Sequence, residues 1–271
     1  AQHLQVVPIG LFGATIAQAA LPVLSSERAR GKMEEFKSTL LTTAHQILFL
    51  ALPATAILIV LRIPSVRLVF GASQFNWPAT VLTSQTLAFL AIGLTAQAIS
   101  LLFIRGFYAL KDTKTPVIIS LVVVTMNIIL SFYFVKFLNL DVWSLGLANS
   151  ISAVLSVSLQ LMALNRKVSG FRKDHLFVPF FKMLMASIVM GMALYIPVKL
   201  LDAVIFDTTR TINLFILTGL ASIFALLVYV GLVWFLKVRE LNTYADLFKK
   251  MAKMRVQVKT EEIIKETTPT V

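Results

Sequence analysis

The chain has 271 residues, 58% of them hydrophobic and only 14% charged, and its mean hydropathy is +0.84. Soluble domains carry roughly 45–50% apolar and about 25% charged residues, which excludes a soluble enzyme and points to an all-α integral membrane protein. A formal net charge of +12 with no cysteine excludes disulfides and thiolate chemistry. It does not indicate nucleic acid, because Lys and Arg lie between apolar runs instead of on one folded face.

A bilayer core of about 30 Å needs about 20 mostly apolar residues per helix. Seven runs meet that length, at roughly 1–24, 38–61, 79–104, 116–137, 143–163, 177–200 and 211–236. The chain opens on Ala1 inside an apolar run, without an initiator Met or a basic leader, and is expected to be a fragment. In the first run Gly10, Gly13, Ala14, Ala17 and Ala20 recur at three- and four-residue spacing, which lets a neighbouring helix approach closely. Pro8, Pro22 and Pro53 lie near or within runs, as static bends or as hinges of moving helices, and need neighbours to satisfy the carbonyls they free.

After the second run, Pro64 to Gly71 is too short to cross and is expected to be an interfacial turn or short helix. Arg105 to Val117 is expected to be a short charged loop, because Pro116 interrupts a helical ladder and restricts Thr115 before it. Beyond the seventh run, Leu241, Tyr244, Phe248 and Met251 recur at helical spacing beside Lys249, Lys250, Lys253 and Arg255. That pattern suits a helix on an anionic leaflet, with a disordered end from Glu261.

Cytoplasmic loops carry the excess of Lys and Arg. With the C-terminus inside, 20 of the 25 basic residues fall on that side, so the C-terminus is expected to be cytoplasmic and Ala1 outside. Trp77, Trp143 and Trp234 fall at run ends, where amphipathic rings anchor.

No carboxylate lies deep in a run, so this part of the chain offers no complete ion-coupling site. His3, His45 and His175 are spread over separate segments with no metal or nucleophile spacing, and no cofactor is expected. The runs do contain neutral amides and hydroxyls on single faces. Gly146, Asn149, Ala153, Ser156 and Gln160 form one stripe in the fifth run; Ser120, Asn127 and Ser131 share a face in the fourth; Gly93, Gln97 and Ser100 share one in the third. Gln18 and Gln46 add an amide each to the first two. Any single amide is explained by interhelical hydrogen bonding, whereas the stripes together favour a water-accessible cavity wall. The sixth and seventh runs hold no deep Asn or Gln. The expected division is therefore five polar-lined helices over 1–165, two lipid-facing helices over 166–236 and a basic tail over 237–271.

Arg105-Gly106-Phe107-Tyr108-Ala109-Leu110-Lys111-Asp112-Thr113-Lys114-Thr115-Pro116 closely resembles the R-x-F-Y-A-x-x-D-T-x-T-P segment of the MurJ/MviN family, proposed lipid II flippases of the multidrug/oligosaccharidyl-lipid/polysaccharide exporter superfamily. Ala20-Leu21-Pro22-Val23-Leu24-Ser25, Phe49 to Ala54, Val66 to Gly71 and Gly146 to Ser150 are similar to further family segments. The resemblance implies the C-terminal half of a two-lobe, fourteen-helix exporter in a bacterial inner membrane. It also implies a missing N-terminal lobe, membrane lipids and undecaprenyl-pyrophosphate-linked lipid II as partners, and a lipid-tail groove on the last two helices. Two departures stand out. Ala1-Gln2-His3-Leu4 occupies the place of the family's A-x-R-L, so His3 stands where an Arg would grip pyrophosphate. Asn127 and Ser131 match an Asn and Asp that form a sodium site in some members, so the carboxylate is lost.

The expected function is transport of the lipid-linked head group by alternating access, with His3, Gln18, Gln97, Asn127, Asn149 and Gln160 as candidate substrate-binding residues. The alternatives are a flippase for another polyprenyl-linked oligosaccharide, of O-antigen or teichoic type, and a non-transporting scaffold for cell-wall enzymes.

Overall fold

The structure is a computed structural model that describes residues 1–70, 76–171, 173–204 and 211–238. Gly71 and the tail residues Leu241, Tyr244, Phe248, Met251 and Glu261 onward lie outside the described residues. Among the described residues, the regular elements are helices and no strand occurs.

The first span runs from Gln2 to Ala29. It comprises α1 (Gln2–Pro8), a π-helical segment (Ile9–Ala14) and α2 (Thr15–Ala29). The widened segment directly follows Pro8, and Thr15 closes it by donating its N–H to the Gly10 carbonyl five residues back. Gly13 is required here by contact. A Cβ on it would lie 2.8 Å from the Ala98 Cα, so the two backbones touch.

α3 (Met33–Val60) carries Pro53 in its interior, and α4 (Arg62–Phe70) follows as a nine-residue helix. This is the short helix expected between the second and third spans. The third span is a pair, α5 (Trp77–Ile92) and α6 (Leu94–Ala109), bent by 42° at Gly93. Asn76 opens α5 by accepting the Ala79 N–H through Oδ1 at 3.1 Å, an ordinary helix cap.

α7 (Lys114–Lys136) and α8 (Trp143–Lys167) form the next two spans. The loop before α7 is shorter than the expected Arg105 to Val117: helix resumes at Lys114, and Pro116 falls in its first turn, where a proline's missing N–H removes no ladder bond. Asp112 explains why Thr115 stays helical before a proline. Its Oδ1 accepts the N–H groups of Lys114 and Thr115, each at 3.1 Å, and its Oδ2 lies 2.7 Å from Lys167 Nζ at the end of α8.

α9 (Lys173–Val204) and α10 (Thr211–Phe235) are the last two helices among the described residues. They pack on one another and on α3. α9 turns Met183, Ala186, Met190 and Leu194 inward, and α10 turns Ala221, Ala225, Tyr229 and Val233 inward. Their opposite faces expose Met192, Phe215, Leu227 and Trp234. Lys182 Nζ donates to the Leu236 carbonyl at 3.0 Å, supplying a proton donor at the C-terminal end of α10. The common core runs through Leu24, Phe36, Leu40, Ile47, Leu94, Leu102, Phe107 and Leu164, all fully buried.

Candidate functional site: a polar cleft between four helices

Polar groups inside an apolar bundle are tolerated only when hydrogen-bonded, and this bundle gathers its amides at one place. A cleft of about 420 Å³ opens between the π-helical segment, α6, α7 and α8. Gln97 and Ser100 line it from α6, Asn127 from α7, and Asn149, Ser152 and Ser156 from α8, with Ile9, Val123 and Ala153 among the apolar contributors. Helical spacing sets the wall: positions 149, 152 and 156 lie three and four apart on one face of α8.

Two interhelical bonds hold the α6 and α8 sides together. Gln97 Nε2 donates to Asn149 Oδ1 at 2.8 Å, and Gln160 Nε2 donates to Ser100 Oγ at 2.9 Å, with Ser156 Oγ at 3.3 Å. Gln160 itself is buried behind the cleft. The two sequence readings of these amides therefore meet, since the same side chains bond the helices and surface the cleft. Ser152 Oγ, on the cleft wall, is buried with no hydrogen-bond partner among the described residues, as is Gln160 Oε1 behind the wall. None of the lining residues is charged, so the surface suits neutral hydroxyl and amide groups better than a bare ion. Among the described residues no cluster of His, Asp or Glu has metal-binding geometry.

Directly above the Gln97 position is the bend at Gly93. Ser150 Oγ accepts the Gly93 N–H at 2.9 Å and donates toward the carbonyls of Phe89 and Leu90, while Gln5 Nε2 donates to the Leu90 carbonyl at 2.7 Å. A broken helix inside a membrane is stable when side chains of its neighbours serve the freed backbone groups, as these two do. Gly93 permits the contact, because a Cβ there would lie 2.8 Å from Ser150 Cα.

The six sequence candidates thus separate. Gln97, Asn127 and Asn149 share the cleft, and Gln160 braces it from behind. His3 and Gln18 lie exposed on the first span, away from the cleft lining. Gly146 and Gly93, counted among the polar stripes, are packing positions: Gly146 faces the Thr86 carbonyl and Gly93 faces Ser150. Sequence reasoning missed Ser152 and Gln5. Ser152 was legible as the residue three beyond Asn149, whereas buried Gln5 was marked only by its place four residues before Ile9, which lines the cleft.

The bundle and its cleft define a multi-pass helical membrane protein whose polar residues face an internal surface. Residues 1–205 match the family model described as lipid II flippase MurJ. The chain belongs to that family. It is 30% identical over 198 residues to the probable lipid II flippase MurJ of Rhizobium meliloti, covering 73% of this chain and 37% of the relative. It is 25% identical over 242 residues to the probable lipid II flippase MurJ of Bdellovibrio bacteriovorus, covering 89% of this chain and 45% of the relative. A solved structure titled lipid II flippase MurJ, inward closed conformation, superposes with a TM-score of 0.69 at 26% identity, over 90% of this chain and 45% of that one. The chain spans less than half the length of these relatives.

Proposed function

We propose that this chain forms part of a flippase that moves lipid II from the inner to the outer leaflet of a bacterial inner membrane by alternating access. The observation that supports it most is the uncharged polar cleft of Gln97, Ser100, Asn127, Asn149, Ser152 and Ser156 in a chain of the MurJ family. A disaccharide-pentapeptide head group is rich in hydroxyls and amides. These side chains, arranged at helical spacing, offer it donors and acceptors in place of water. The pyrophosphate needs cations that the cleft lacks, so it is held elsewhere, by the remainder of the full-length protein and by His3 where it replaces the family Arg.

On this reading the C-terminus is cytoplasmic, residues 1–165 form the transport bundle, and the lipid tail stays in the bilayer along residues 166–236. The basic residues after 237 lie on the cytoplasmic leaflet.

The test is depletion of the native flippase in a host, with rescue by the full-length gene. Growth with lipid II exposed outside supports the reading. Failure of both, with the protein present in the membrane, overturns it. Deletion of residues 240–271 should leave rescue largely intact in a transporter, whereas a scaffold acting through the tail would fail.

A further inference from the structure

Pro53 has no N–H, so the carbonyl four residues earlier, that of Phe49, loses its ordinary donor in α3. The missing donor is supplied from the far end of the chain. Tyr229 of α10 donates its hydroxyl to the Phe49 carbonyl at 3.0 Å across 180 residues of sequence. It does so while only 1% exposed, with its ring tilted against Phe49 at a centroid separation of 5.5 Å. One turn further along α3, the backbone of α9 passes close enough at Gly191 that a Cβ there would sit 3.7 Å from the Ala56 side chain. The last two helices therefore dock at the point where α3 is weakest.

We propose that Tyr229 is a positioning residue that fixes α3 at its proline position, so that α10 is mechanically joined to the transport bundle and does more than cover it. A change of bend at Pro53 swings the Phe49 carbonyl, and the bond then requires α10 either to follow or to release. Tyrosine suits this task. A phenol donates a single directional hydrogen bond from a rigid ring, and the buried ring resists rotation out of place. The link to transport rests on the function proposed above, whereas the link between Tyr229 and Pro53 is measurable without any substrate.

The experiment uses the full-length protein with Tyr229→Phe, Pro53→Ala and both together. Alanine at 53 restores an N–H within reach of the Phe49 carbonyl, so the tyrosine hydroxyl becomes dispensable there. Tyr229→Phe alone should lower the thermal midpoint by about 1–2 °C, and in the Pro53→Ala background the same change should lower it by less than half as much. Equal losses in both backgrounds overturn the proposal, as does no loss in either. Lipid II translocation is then measured well below both midpoints. Tyr229→Phe should change the rate at least threefold, and a rate equal to the parent's would reduce the bond to a purely structural one and overturn the positioning role. If the parent itself moves no lipid II, the function proposed above fails while the midpoint comparison still decides the Tyr229–Pro53 link.

Discussion

At the scale of single residues, the most consequential side chain is Ser150, because one hydroxyl serves both sides of the bend at Gly93. Removing it takes that donor from the Phe89 carbonyl and leaves the Gly93 N–H with its 3.0 Å bond to the Leu90 carbonyl, which costs about 1–3 kcal/mol. Ser150→Ala should therefore lower the thermal midpoint of the purified full-length protein, with Ser158→Ala as a neutral control, since Ser158 bonds only the Val154 carbonyl of its own helix at an exposed position. Asp112 supports a prediction in pH. Partial burial pushes its carboxyl up, but the Lys167 ammonium and the Thr115 hydroxyl and N–H more than offset this and hold it at about 2, below its ordinary 3.8. Because the folded value lies below the unfolded one, this stabilisation is complete above about pH 4 and is lost as pH falls through about 2. Asp112→Asn should cost about 1 kcal/mol at pH 7, a modest value because Lys167 is 41% exposed. It should also flatten the midpoint's dependence on pH between 4 and 2.

At the scale of elements, close helix crossings carry the strongest prediction. Gly13→Leu must push the first span off Ala98, since the atom met at 2.8 Å is backbone and cannot rotate away. Destabilisation of about 1–3 kcal/mol is expected from such overpacking, whereas Gly219→Ala, with open space around it, should leave the thermal midpoint unchanged. The same crossings show what could be read in advance. Seven spans were legible because membrane thickness imposes length and apolarity locally, and the stripe on α8 because helical spacing is local as well. The bend at Gly93 was not legible. Its supporting side chains are distant in sequence, Ser150 being 57 residues from Gly93 and Gln5 85 from Leu90, and nothing at Gly93 itself announces them. Pro116 misled for the opposite reason: a proline reads as a break, but a capping Asp112 four residues earlier turns it into a helix start. His3 was singled out by its place in the family's A-x-R-L pattern and Gln18 as an amide in the first span; both are exposed on that span, outside the cleft lining.

At the scale of the whole molecule, the bundle has two kinds of surface. α7 presents Leu121, Ile128 and Phe132 outward, each more than 60% exposed, while its Asn127 faces the cleft beside Asn149 and Ser156. Replacing Gln97 and Asn149 together with Leu should preserve the fold, since both partners of one bond are removed at once. Lipid II exposed at the outer surface should nevertheless fall severalfold, read in cells depleted of the native flippase. The most direct test of the cleft as a head-group path is thiol labelling of Ser156→Cys in an otherwise cysteine-free full-length protein. A membrane-impermeant reagent should modify that thiol, and lipid II should protect it, while Leu227→Cys on the outer face of α10 stays unreactive. A Ser156→Cys thiol that is as inert as the Leu227→Cys control, or that reacts equally with and without lipid II, would contradict the account.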